Sequence, residues 1–168
     1  DTLGVNFISN LVKEWENSHL LFKTKCMTTI LRLPIVLEKN EGALKKMEGL
    51  FSMGFGSVLG SGNQIMNWIT IDDLLQLFDY IINKRIDGVF NISANNTSNS
   101  DFSHALAKAL KRKIILPKAP RFFIQIIFGE MADILINGNY VSSEKILNTG
   151  FFYEKTDIKN ALKEIYQQ

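Results

Sequence analysis

The chain has 168 residues, 46% hydrophobic and 21% charged, with a formal net charge of +2. That length fits one ordinary domain able to bury a real core. So small a charge argues against nucleic acid or an anionic membrane as partner, and a single cysteine excludes an internal disulfide and a cysteine-built structural zinc.

Phe7, Ile8, Leu11, Val12 and Trp15 place an amphipathic helix over 7–18. Asp1 to Asn10 has no basic start, so no signal peptide is read there. Cys26 opens an apolar run, 26–33, and reads as a small buried residue. The run is β-branched and apolar on both faces, which predicts a strand covered on both sides, and Pro34 stops it. Asn40 is placed to cap the helix that follows, with Gly54 near its end. The four glycines of MGFGSVLGSGN require a loop. QIMNWIT alternates as a strand over 64–70. Thr70 or Asp72 caps a helix running to Lys84, with Leu74, Leu75, Phe78, Ile81 and Ile82 inward.

GVFNISA predicts a strand over 88–94, and Asn99 or Ser100 caps a helix over 101–111. Lys108, Lys111, Arg112 and Lys113 suit the negative end of that helix. KIILP, 113–117, is a strand expectation. Helices follow after Pro120, over 129–138, within 142–150 and after Thr156 or Asp157. The apolar stretch 122–128 is too short to span a bilayer. Strands alternating with helices give an α/β or α+β class, and the composition fits a reduced, cytoplasmic protein without a membrane span.

Two motifs at 60–78 invite a chemical reading. Gly60-Ser61-Gly62 leads into a strand instead of opening a helix after one, so it reads as a turn and not as a phosphate cradle. Asp72 and Asp73 are adjacent at a helix start, about 100° apart, and do not converge as an acid/base pair. They read as a cap and an acid that compensates the helix dipole. Trp68 reads as core, His19 and His104 as surface residues, and no metal constellation or Ser-His-Asp arrangement is visible.

LRLPIVLEKNEGALKKM, GSVLGSGNQIMNWITIDDL, GVFNISANNTSNSDFSHALAKAL and GEMADILINGNYVSSEKILNTGFFY occur in this order. Together they resemble the C-terminal half of epimerase-family proteins of the extended short-chain dehydrogenase/reductase superfamily, sometimes labelled nucleoside-diphosphate-sugar epimerases. The resemblance covers nearly the whole chain. It implies the last strands of a Rossmann-like sheet over 1–94, joined to a small α+β substrate-side domain over 95–168. In such enzymes an N-terminal half binds NAD(P) through a glycine-rich turn and supplies a Tyr and Lys for proton transfer.

This chain is expected to begin after those parts, to contain no catalytic residue, and to bind NAD(P) only weakly alone. By resemblance, Leu33 and Pro34 are cofactor-side residues, and Arg32, Gln64, Trp68 and Asp72 border the substrate. Glu130 matches an acid of the tail motif, with no role attached. The implied function is the substrate-side half of an NAD(P)-dependent nucleotide-sugar epimerase or reductase, with a non-catalytic interaction module, of the kind labelled cell-division inhibitor, as the alternative. The missing N-terminal half, or a second copy pairing along strand 27–33, is the expected partner, unless residues 1–18 cover that strand. Strands 27–33 and 88–93 are expected to pair in parallel, with Trp68 buried near Arg32.

Overall fold

The structure, a computed structural model, describes residues 7–18, 21, 25–119, 122, 126, 129 and 138–167. The elements are α1 (Phe7–Ser18), β1 (Thr29–Arg32), β2 (Ile35–Leu37), α2 (Gly42–Ser52), β3 (Ile65–Thr70), α3 (Ile71–Lys84), β4 (Gly88–Asn91), β5 (Asn95–Ser98), α4 (Asn99–Ala109), α5 (Glu144–Leu147) and α6 (Ile158–Gln167). The fold is mixed α/β. No described helix is long and apolar enough to cross a membrane.

β1 and β4 pair in parallel, Thr29 opposite Gly88 and Arg32 opposite Asn91. Parallel strands need a crossover, and the intervening chain supplies one with α2 and α3. The apolar run does not continue as one strand. Pro34 has no N–H to give a ladder, and the chain changes partners there. β2 pairs in parallel with β3, whose other edge pairs antiparallel with β5. The expected strand 88–94 likewise ends at Asn91, and Asn95–Ser98, for which no element was expected, forms β5. Ser98, one residue before the first of the two predicted caps, accepts from the Asp101 N–H at 3.0 Å. Residues 113–117 form no strand: Ile115 is 80% exposed and no described edge takes them. The expected helices after Pro120 and over 129–138 fall largely outside the described residues.

Asn40 does not cap α2. It sits at φ 65°, a left-handed turn position suited to asparagine, and Glu41 takes the cap position. Cys26 is exposed, because it lies ahead of the first paired residue of β1. In α1, Leu11 and Trp15 are exposed.

Two apolar clusters hold the elements together. One gathers Leu37, Leu44, Phe51, Trp68, Phe102 and Leu162; the other gathers Ile69, Leu77, Phe90, Ile92, Ile146 and Phe151. Trp68 and Ile69, neighbours on β3, face opposite ways and seed one cluster each. Burying side chains of this size contributes about 1.5–3 kcal/mol each.

The start of α3 ties the clusters to the C-terminal segment. Thr70 caps it, accepting from the Asp73 N–H at 3.3 Å. Asp73 is fully buried. Its carboxylate accepts from the Glu154 N–H at 2.9 Å, the Lys155 N–H at 3.1 Å and the Thr70 hydroxyl at 3.2 Å. Asp73→Asn would turn an amide N–H₂ toward donors, and a buried charge-assisted network is costly to break. We expect a loss of about 2–4 kcal/mol in urea unfolding; a midpoint unchanged from wild type would contradict this role.

α6 closes onto α2 through the Tyr166 hydroxyl, which donates to Glu48 at 3.1 Å. Burial first, then the Glu48 charge and the bond itself, hold the phenol well above the usual tyrosine range. The unfolded chain ionises tyrosine near pH 10. The contribution is therefore complete below about pH 10 and lost as pH rises above it. Thermal melts should show an alkaline loss of stability that is smaller in Tyr166→Phe. Tyr153, raised in the same direction by its burial, keeps part of the loss in the variant. Equal loss in both proteins would contradict the assignment.

Candidate functional site

A cavity of about 650 Å³ opens where β1 and β4 end. Its walls come from Arg32 and the residues after it, from Asn91 and Ile92, and from Ile65 to Asn67 of β3. The start of α2 at Gly42 and Ala43 and the segment with Gly138, Asn139 and Val141 close it. The break at Leu33-Pro34 makes the opening: β1 and β2 lie in different sheets, and the gap between their partners is the cavity.

Among the described residues, Arg32 is the only charged one on these walls. Its guanidinium grips Glu16 of α1 in a fork, Nε to Oε1 at 2.5 Å and Nη2 to Oε2 at 2.7 Å. Nη1 reaches the Asn91 side chain at 3.4 Å. Bidentate pairs of this kind are short and directional. The bond to Glu16, with its charge, raises the arginine's pKa further against the opposing effect of burial. α1 is thus tied to the end of β1 through the pair, with side-chain exposures of 32% for Arg32 and 17% for Glu16.

The far wall is held by carboxamides. Asn67 donates to the Asn139 carbonyl at 2.9 Å. Asn96 pairs with the backbone of Val141 in both directions, each at 2.9 Å. Ser143 donates to the Ser93 carbonyl at 2.8 Å. Gly138 passes so close to β3 that a Cβ there would stand 1.6 Å from the Ile65 carbonyl oxygen.

Of the residues singled out in the sequence, Arg32, Leu33 and Pro34 meet on the cavity wall. Gln64 donates to the Leu59 carbonyl at 2.8 Å and braces the glycine loop. Trp68 is fully buried in the first cluster, its indole N–H donating to Thr97 at 2.8 Å. Asp72 is exposed and pairs with Lys155 at 3.0 Å. That lysine's pKa is raised by its bond to Glu164 and then by Asp72. Glu130 lies outside the described residues. The glycine loop spends its amides internally: Leu59 N–H on the Asn99 side chain, Gly60 N–H on Ala119 and Gly62 N–H on Leu59.

Tyr80 and Lys84 have a Tyr-x-x-x-Lys spacing. They sit on α3, and the Tyr80 hydroxyl donates to the Thr149 carbonyl at 2.6 Å. No α3 residue lines the cavity. The sequence reading passed over Glu16, Asn67, Asn91, Asn96 and Gly138. The alternation of β3 could have found Asn67, a polar residue between two buried ones; nothing local marks Glu16.

A second depression, about 720 Å³, lies beside β1 and α3 and is largely apolar, with Met27, Leu31, Phe78 and Ile82. β1 has one paired neighbour among the described residues. No cluster of three or more potential metal ligands occurs among the described residues.

Gly138→Ala must push β3 and the 138–141 segment apart. Such overpacking costs about 1–3 kcal/mol. Backbone amide shifts of Asn67, Asn96 and Val141 should move together with a lowered melting temperature; an unperturbed spectrum would contradict the close approach.

Residues 119–165 match the family described as Domain of unknown function (DUF1731). The mouse epimerase family protein SDR39U1 is 34% identical over 98% of this chain and 58% of its own length. The crystal structure of human epimerase family protein SDR39U1 (isoform 2) with NADPH superposes with a TM-score of 0.88 at 32% identity, covering 97% of this chain and 56% of that one. A nucleoside-diphosphate sugar epimerase from Corynebacterium glutamicum shares the fold at a TM-score of 0.73, with 24% identity over 98% of this chain and 32% of that one. The chain spans a little over half the length of the SDR39U1 proteins it matches. It is homologous to the epimerase family proteins, and its α/β fold is that of the part of them it matches.

Proposed function

We propose that the chain forms the substrate side of an NAD(P)-dependent epimerase or reductase acting on a nucleotide sugar, and that it is inactive alone. One observation carries the reading. The cavity lies at the carboxyl ends of the parallel strands β1 and β4, the place where open α/β sheets bind ligands. In this reading residues 1–94 finish the Rossmann-like part and 95–168 form the small domain. Leu33 and Pro34 offer an apolar wall for a neutral ring. The glycine loop offers little to the phosphates, since its amides at Leu59, Gly60 and Gly62 are already bonded. The cofactor, bound mainly elsewhere, would supply hydride transfer, while Arg32 and the asparagines position substrate. The reading also takes the protein to be cytoplasmic.

The apolar depression beside β1 supports a partner. An uncovered strand edge templates pairing, and Met27, Phe78 and Ile82 are exposed next to it. In the main reading the N-terminal half of an epimerase-like protein covers it. In the alternative, a non-catalytic interaction module, a second copy does.

Titration calorimetry tests the main reading. The 168-residue chain should bind NADPH no tighter than about millimolar, because in such enzymes the glycine-rich turn that holds the pyrophosphate belongs to the N-terminal half. A chimera carrying the N-terminal half of human SDR39U1 should bind at micromolar concentration. Micromolar binding by the chain alone, or a folded chimera that does not bind, would overturn it. Light scattering of the isolated chain reports the alternative as a concentration-dependent rise in mass.

A further inference from the structure

We propose that Glu16 sets the charge selectivity of the cavity: by neutralising Arg32 it makes the site accept an uncharged, hydroxyl- or amide-bearing group and reject a phosphate. The inference rests on the reading that this cavity is the substrate side.

Arg32 is the one cation on the walls among the described residues, and its Nε and Nη2 donors are spent on Glu16. The remaining polar side chains there are asparagines, Asn67, Asn91 and Asn139. A phosphate brought within hydrogen-bond reach of the guanidinium also comes within a few ångströms of the Glu16 carboxylate. Repulsion there offsets the attraction of the arginine. An uncharged hydroxyl or carbonyl meets no such repulsion and can use the guanidinium N–H groups that face away from Glu16.

The opposite wall asks for a donor. Asn67 Oδ1 is buried and takes no hydrogen bond, while its amide N–H₂ is fixed on the Asn139 carbonyl. That bond settles which end of the carboxamide is the oxygen. A buried acceptor left unmet is costly. A sugar hydroxyl or an acetamido N–H that displaces this wall slightly can meet it; a fully ionised phosphate, which only accepts, cannot. Both walls therefore point to the same class of group: uncharged and able to donate.

N-Acetylglucosamine and N-acetylglucosamine 6-phosphate form a matched pair of probes that differ in a charged group at a position where a nucleotide sugar carries none. Each is titrated into the 168-residue chain while amide shifts are followed by NMR. The sugar should move Leu33, Asn67 and Asn91, and the phosphate should move them at least about tenfold more weakly. Glu16→Gln should raise the affinity for the phosphate about tenfold with the sugar little changed, and Glu16→Asp, which keeps the charge, should behave as wild type. If the wild-type chain binds the phosphate as tightly as the sugar at these residues, the selectivity proposal is overturned and the cavity keeps its role. If neither probe moves these residues, the cavity reading and the proposal fall together. The wild-type comparison decides between these outcomes even if the Glu16 variants do not fold.

Discussion

The carboxylate of Asp73 is the constraint on which the rest of the structure depends. It is fully buried, and it is acceptable there because three donors surround it. Two of those donors are backbone amides more than eighty residues further along the chain. One side chain thus starts α3, fixes the turn at Glu154 and Lys155, and sets the approach of α6. Asp72 next to it can stay in solvent and pair loosely with Lys155, a contact of small energetic weight at a surface.

From that anchor the C-terminal segment runs back over the strands. Phe151 and Tyr153 pack edge to face, centroids 5.1 Å apart, and both enter the second cluster. Lys145 lies over the Phe90 ring at 4.7 Å and donates to the Val89 carbonyl. The matched DUF1731 region is therefore not an appendage to β4. It covers β4, and through Asn139 and Val141 it supplies one wall of the cavity.

Much of this was legible in the residues. Thr70 and the two following acids marked the start of α3, but its buried face was misplaced: Leu74 and Ile81 point inward as expected, Leu77 joins them, and Leu75, Phe78 and Ile82 are exposed beside the apolar depressions. The alternation in QIMNWIT gave β3. What escaped depended on partners distant in sequence. Asn95–Ser98 has little intrinsic preference for a strand and becomes one because β3 lies open beside it. Residues 113–117 have the preference and find no edge. At the site, Arg32, Leu33 and Pro34 were legible from the family resemblance. Gln64 and Trp68 lie close by in sequence but turn into the loop and the core, and Glu16 becomes part of the site only because α1 returns to the end of β1.

The two residues between β1 and β2 set more than a boundary. Pro34 sends one stretch of backbone into two sheets, so the distance across the cavity follows from main-chain geometry and not from the side chains that line it. A protein built this way can exchange the groups on its walls one at a time, altering what it recognises, while the width of the space it offers stays the same.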